Sequence, residues 1–196
     1  MDVRVEGQVV DAPEQGDVAA VLQKALSGKK FKSVVAARVT AEGTETLCDL
    51  SATVPAQCTD ITPVYADSPE GLSMIRHSTA HVMAAAVKKL YPSAKVTIGP
   101  AVENDFDAEK PFSSEDFPAI EVEMQRIVNE RLPFVRTTMS KADAIEKFSK
   151  MGENFKVEII EGIEGDTVSL YTCGDFTDLC RGPHVPHTGF SKASKI

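Results

Sequence analysis

Over roughly the first 64 residues the chain alternates apolar and polar positions in short runs: "VRVEGQVVDA", "KSVVAARVT", "ETLCDLSATV" and "DITPVYA". Successive side chains of a strand point to opposite faces, so each run predicts a short strand, the first folding back as a hairpin at Glu6-Gly7. In "DVAAVLQKAL" the period lengthens to that of a helix, with Val18, Val21, Leu22 and Leu26 on one face. Together these runs predict a small mixed sheet crossed by one helix.

The pattern changes at "ADSPEGL". Ser68 suits a helix N-cap, Pro69 the first helical position, and Glu70 places negative charge at the positive end of the helix dipole. A helix is predicted from there to about Leu90, ended by Tyr91-Pro92. Leu72, Ile75, Thr79, Val82, Met83, Ala86 and Leu90 fall in one arc, and His77 and His81 point away from it. A second helix is expected in "FSSEDFPAIEVEMQRIVNERL", starting at Ser113 or Ser114, with Phe117, Ile120, Met124, Ile127 and Val128 as its apolar stripe. A third, "SKADAIEKFSKMG", carries a capping-box-like Ser140 and Asp143 and ends at Gly152. "FKVEIIEGI" and "VSLYTCG" then read as strands.

Length and composition narrow the class. A chain of 196 residues holds one large domain or two small ones with a real core. No apolar run approaches the roughly 18 residues of a membrane span, and the N-terminus lacks a signal-peptide pattern, so a cytoplasmic protein is expected. Cys48, Cys58, Cys173 and Cys180 are too few and too irregularly spaced for a disulfide framework and are read as reduced. The formal net charge of −8 argues against a nucleic-acid coat. The local exception, Lys24, Lys29, Lys30 and Lys32, reads first as a solvated helix end.

Candidate chemistry gathers in two stretches. "RHSTAH" puts His77 and His81 four apart, hence one turn from each other on the same side of a helix. "TDLCRGPHVPHTG" crowds Asp178, Cys180 and His184 around an Arg181-Gly182-Pro183 turn. Three imidazoles and one thiol are the ligand types and number of a tetrahedral zinc site. Equally, Cys180 suits a nucleophile with a histidine base, or ordinary packing as a small hydrophobe. His187 looks like a bystander.

At this point the sequence resembles a known family. "RHSTAHVMAAAVKKLYPSAKVTIGP" with "YTCGDFTDLCRGPHVPHTG" looks like the second additional domain shared by threonyl-tRNA synthetases and alanyl-tRNA editing proteins. "VRVEGQVVDAPEQGDVAAVLQKAL" is similar to the ubiquitin-like TGS domain that precedes it in bacterial threonyl-tRNA synthetases. The neighbour and the full "DLCRGPHVP" favour the threonyl over the alanyl type.

The resemblance implies an α+β chain: a β-grasp TGS domain over 1–64, then an editing domain over 65–196 with helices packed on an antiparallel sheet. It implies hydrolysis of seryl-tRNA wrongly charged on threonine tRNA, with no DNA or membrane partner. His77, His81, Cys180 and His184 would line the pocket, Lys156, Asp178 and Arg181 would hold substrate, and water rather than Cys180 would attack. Zinc on His77, His81, Cys180 and His184 is compatible with this and not required for editing. ATP and a further zinc belong to the class II ligase core, which together with the anticodon-binding domain lies outside this sequence, as does the homodimer expected of the full-length family; a monomer is open for this chain alone. Non-catalytic zinc or tRNA binding and an alanyl-type free-standing deacylase are the competing readings. One departure stands out. After Ile98-Gly99-Pro100 the family continues through Glu-Asn-Gly-Phe-Tyr-Tyr-Asp-Phe, whereas this chain reads "AVENDFDAEKPF".

Overall fold

The computed structural model describes residues 1–13, 15–96, 106–107 and 112–192. The stretch that follows Ile98-Gly99-Pro100, where the sequence departs from the family pattern, lies outside them except for residues 106–107 and 112. The chain divides into two compact units, one formed by Met1–Ile75 with Gly182–Pro186, the other by Arg76–Arg181 with His187–Ile196.

In the first unit β1 (Asp2–Val5) and β2 (Gln8–Asp11) form the expected hairpin. Its two turn residues, Glu6 and Gly7, both have positive φ, which matches the right-handed twist of the flanking strands. Val3 and Val5 point into the core while Asp2 and Arg4 face out. Helix α1 (Val18–Ala25) is capped by the Asp17 carboxylate, which accepts from the Ala20 N–H at 2.7 Å, and it buries Val18, Val21 and Leu22. A single turn, α2 (Gly28–Phe31), leads into β3 (Val34–Ala41), β4 (Thr44–Cys48) and β5 (Cys58–Tyr65). The strand order is β2-β1-β5-β3-β4, with β1 parallel to β5 and the other pairs antiparallel. The core of the unit is Val3, Val18, Leu22, Val34, Val39 and Ile61 with their neighbours.

Helix α3 (Pro69–Leu90) starts and stops where the sequence predicts. The Ser68 hydroxyl accepts from the Gly71 N–H at 3.0 Å. Gly71 is required by space, since a Cβ there would lie 2.0 Å from the Tyr65 carbonyl oxygen. The buried face differs from the predicted arc. It runs through Gly71, Met74, Ser78, Val82 and Ala85, whereas Leu72 and Leu90 are 43% and 39% exposed. Small residues admit close approach and so set the packed face, while the large ones dominated the sequence pattern. His77 and His81 flank this face rather than opposing it.

The second unit continues with a short ribbon, β6 (Lys95–Val96) paired with β7 (Phe106–Asp107). Helix α4 (Phe117–Glu130) begins three or four residues later than expected, because Asp116 closes a preceding turn by accepting from the Ser113 N–H and hydroxyl. It buries Ile120, Met124, Ile127 and Val128, as read from the sequence. Strand β8 (Val135–Ser140) runs into α5 (Lys141–Lys150), whose Ser140 cap accepts from the Asp143 N–H and donates to its carboxylate.

One expectation is overturned here. "FKVEIIEGI" is not a strand but helix α6 (Asn154–Gly162). Phe155, Val157 and Ile159 alternate like a strand, yet Phe155 and Ile159 are exposed, and the buried positions, Lys156 and Ile160, are one helical turn apart. β-Branched residues disfavour helix by only a few tenths of a kcal/mol each, which burial readily outweighs. Strands β9 (Thr167–Cys173) and β10 (Phe176–Leu179) complete an antiparallel sheet of order β10-β9-β8. Ala144 and Phe148 of α5, Ile160 of α6, and Val168, Leu170 and Leu179 of the sheet form one core cluster. The architecture is mixed α+β. Among the described residues no helix is long and apolar enough to cross a membrane, and all four cysteines are free.

Candidate functional site

Two turns of α3 and the end of β10 carry the candidate residues. Their i, i+4 spacing stacks His77 and His81, whose ring centroids lie 5.1 Å apart at an interplanar angle of 68°. His81 also meets Phe134 and Phe176 edge-on, each at 6.5 Å between centroids. Just beyond β10, the Cys180 N–H donates to the Ser169 carbonyl at 3.1 Å, and the Ser169 hydroxyl returns a 2.6 Å bond to the Cys180 carbonyl. This double attachment to β9 fixes the direction of the thiol, whose Sγ lies 3.2 Å from His77 Nε2. After Gly182, at φ 69°, the chain turns to His184, whose N–H donates to the Asp49 carboxylate at 2.8 Å.

The ligand-capable atoms of His77, His81, Cys180 and His184 all lie within 4.8 Å of one another. Zinc–nitrogen and zinc–sulfur bonds of 2.0–2.3 Å place the corners of a tetrahedron about 3.3–3.8 Å apart. The His77–Cys180 separation is already that short, and the others need close by at most about 1.5 Å. Burial holds His77 below the ordinary imidazole pKa. His81 is pushed down to about 3, by burial first and then by the charges of His77 and Lys156. Neutral imidazoles are the form that binds a metal, so the donor set fits zinc.

The Lys156 ammonium, on α6, lies 2.9 Å from the Asp178 carboxylate, and the lysine side chain is only 2% exposed. Asp178 also accepts from the Leu179 N–H at 2.7 Å. Burial pushes the Asp178 carboxyl up, and the neighbouring ammonium holds it back. Sequence reasoning placed Lys156 at a strand start, where a solvated lysine is the ordinary outcome. Instead it is among the largest fully buried side chains of the protein.

Arg181 is exposed. His187 stands apart: its Nδ1 accepts from the Gly189 N–H at 3.1 Å and its ring lies 4.7 Å from Phe190, capping a 3-10 turn at Thr188–Phe190. A cleft of about 500 Å³ is lined by Ala85, Lys88, Lys89, Arg126, Cys173 and Phe176 among others. Its cations already have carboxylate partners: Lys88 has Glu153, Lys89 has Glu123, and Arg126 has Glu123 and Glu130. Burial raises the Cys173 thiol to about 11, which leaves it protonated and inert at neutral pH.

The site also includes a residue that sequence reasoning missed. Glu153 is 3% exposed, with one carboxylate oxygen 2.8 Å from Lys88 Nζ and the other 3.9 Å from Lys156 Nζ. The only signal for it was an acidic residue three positions before a lysine, a spacing that ordinarily marks a solvated surface pair.

Residues 168–196 match the family described as threonyl and alanyl tRNA synthetase second additional domain. The chain is 68% identical to a threonine–tRNA ligase of Desulfovibrio desulfuricans, an alignment covering all of the chain and 31% of the relative. It is 56% identical to that of Nitratidesulfovibrio vulgaris (100% and 30%) and 52% identical to that of Maridesulfovibrio salexigens (99% and 30%). The first two alignments run over 200 positions against 196 residues, so the relatives hold at least four positions without a counterpart here. The chain spans about a third of the length of these relatives. Over its full length it corresponds to the N-terminal region of threonine–tRNA ligases, about 200 residues that include the match to the second additional domain.

Proposed function

We propose that this chain is the editing region of a threonine–tRNA ligase, hydrolysing seryl-tRNA wrongly formed on threonine tRNA. Serine lacks one methyl group of threonine, and a methyl-sized difference is worth only about 1–3 kcal/mol in a binding pocket. A synthetic site therefore admits the smaller amino acid, and a second site too small for threonine removes the error. Residues 65–196 would form this editing domain. Residues 1–64 would form a TGS domain, supported by a five-stranded sheet with its first strand parallel to the last, as a β-grasp requires. A longer protein carrying this region would ligate threonine to its tRNA with ATP.

The observation that carries the reading is the convergence of His77, His81, Cys180 and His184 within 4.8 Å, with the buried Lys156–Asp178 pair on the same unit as three of them. Ester hydrolysis needs a positioned water, an acceptor for its proton, and a cation or donor for the developing oxyanion. Imidazole is suited to the proton. The water oxygen bonds to the ester carbon, its proton passes to an imidazole, and the carbon–ribose oxygen bond breaks as the ribose oxygen takes a proton. Lys156 and Asp178 orient the aminoacyl group, Lys156 facing the carbonyl oxygen as negative charge builds on it. Cys180, held by Ser169, lines the pocket rather than attacking. Exposed Arg181 is free to meet the RNA end. A zinc ion, when bound, would be held by His77, His81, Cys180 and His184 and would supply Lewis-acid polarisation of a bound oxygen.

The test offers the protein seryl-tRNA and threonyl-tRNA, both on threonine tRNA. We expect seryl ester to be lost much faster, and His77→Ala or Cys180→Ala to slow that loss at least tenfold. Equal, slow loss of both substrates in all three proteins would sink the proposal. Metal analysis of the same samples separates a zinc-binding module without hydrolysis from a hydrolase.

A further inference from the structure

Lys156 does not sit against Asp178 alone. Its ammonium also lies 3.9 Å from a Glu153 oxygen and 5.7 Å from the centre of the Phe148 ring. Three groups thus bracket a charge carried on four rotatable bonds, which a single carboxylate would leave free to swing about one contact. Two buried carboxylates against one ammonium would leave an uncompensated negative charge. Lys88, 2.8 Å from the other Glu153 oxygen and 23% exposed, restores the balance from the solvent side. The result is a chain of alternating charges, Lys88, Glu153, Lys156, Asp178, from the surface to two residues short of Cys180.

Glu153 acts through the backbone as well. Its N–H donates to the Phe148 carbonyl at 2.9 Å, and its own carbonyl accepts from the N–H groups of Lys156 and Val157 at 3.0 and 3.3 Å. It is the residue from which α6 starts, and Lys156 sits on the first turn. One residue therefore sets both the origin of the Lys156 backbone and the direction of its side chain.

We propose that Glu153 is a positioning residue for the hydrolytic reaction: its carboxylate, balanced by Lys88, holds the Lys156 ammonium where it meets both Asp178 and the substrate. This rests on the hydrolytic reading above. Glu153 touches no reacting atom. Without its charge, Lys156 is drawn wholly onto Asp178, and the donor needed by the carbonyl oxygen is lost while substrate still binds.

The test compares wild type, Glu153→Gln, Glu153→Asp, Lys156→Ala and the Glu153→Gln/Lys156→Ala double variant for deacylation of seryl-tRNA, with folding checked by far-UV circular dichroism. Glu153→Gln preserves shape and removes charge, so kcat should fall at least tenfold with KM changed less than twofold. Glu153→Asp retains the charge and should recover most of the loss. The double variant should be no slower than Lys156→Ala, because a residue acting only through Lys156 has nothing left to position. Wild-type kcat in Glu153→Gln, or losses that multiply in the double variant, would overturn the proposal. If Glu153→Gln does not fold, Glu153→Asp in the same cycle decides, since non-additivity with Lys156→Ala is still required. An activity-independent readout separates this idea from the function: the buried Lys156 ammonium should give a solvent-protected ¹H–¹⁵N signal in wild type that broadens away in Glu153→Gln. An inactive wild type that shows this change rejects the hydrolytic reading and retains the positioning. An unchanged signal rejects the positioning.

Discussion

The two units solve burial in opposite ways. The first hides aliphatic side chains in a valine-rich core and keeps its ion pairs, Arg4–Asp60, Glu6–Lys30 and Arg38–Glu45, at the surface. Among its described residues only Asp49 is a buried carboxylate. The second buries apolar side chains too, Ile120, Met124, Phe148 and Leu170 among them, and in addition buries Glu153, Lys156 and Asp178 in the unit that carries His77, His81 and Cys180. Removing charges from water opposes folding, and a buried ion pair is often no more stabilising than apolar residues of the same volume. A fold that accepts this burden in one unit and avoids it in the other makes the second unit the place to test for chemistry.

The largest expected effect comes from breaking that buried balance. Lys156→Ala leaves Asp178 and Glu153 facing each other with only Lys88 to offset them. We expect a loss of about 3–5 kcal/mol in urea unfolding followed by far-UV circular dichroism, together with a fall in seryl-tRNA deacylation at least as large as that of Glu153→Gln. A variant of wild-type stability would show that the charges are hydrated in solution, and the contrast between the units would disappear.

In the first unit the corresponding lesion is a cavity. Leu22 is fully buried among Val3, Val18 and Ile61. Leu22→Ala should lower stability by about 2–5 kcal/mol in the same measurement, but leave the deacylation rate per folded molecule unchanged. A fall in that rate, with the protein still folded, would show that packing in the aliphatic core reaches His184, which belongs to the same unit.

What was legible in the sequence follows the same division. The hairpin at Glu6-Gly7, the stripe of α1, the start of α3 at Ser68 and the Ser140 cap were all readable, because turn chemistry, caps and a one-sided apolar pattern are local properties. His77 and His81 were readable as a helical pair for that reason. The buried charges were not. Lys156 lies on a segment whose alternating apolar residues imitate a strand, and Glu153 precedes it at the spacing of a solvated pair. Their partners lie on other elements, Lys88 of α3 for Glu153, Phe148 of α5 and Asp178 of β10 for Lys156, and local pattern carries no trace of them. Lys156 is implied by the family resemblance, whereas Glu153 is visible only in the fold. The face of α3 was misjudged for a related reason, since Gly71 and Ser78 are small enough to be the contact surface yet add little to an apolar count.

The smallest effect belongs to the surface charges of the first unit. The Lys30 ammonium and the Tyr65 hydroxyl, which donates to Glu6 at 2.8 Å, hold the Glu6 carboxyl below its ordinary value. A folded pKa below the unfolded one means that the stabilisation is complete above the unfolded value, near pH 4.3, and disappears as pH falls through the lowered folded value. The melting temperature of Glu6→Gln should therefore lie slightly below that of wild type at pH 7, and the two should converge as pH falls below the lowered folded value. Adding salt should narrow the gap at pH 7, because an exposed pair is screened. A gap that persists into acid, or that ignores salt, would mean that Glu6 works through packing at the hairpin turn, and that surface charge contributes nothing to the stability of this unit.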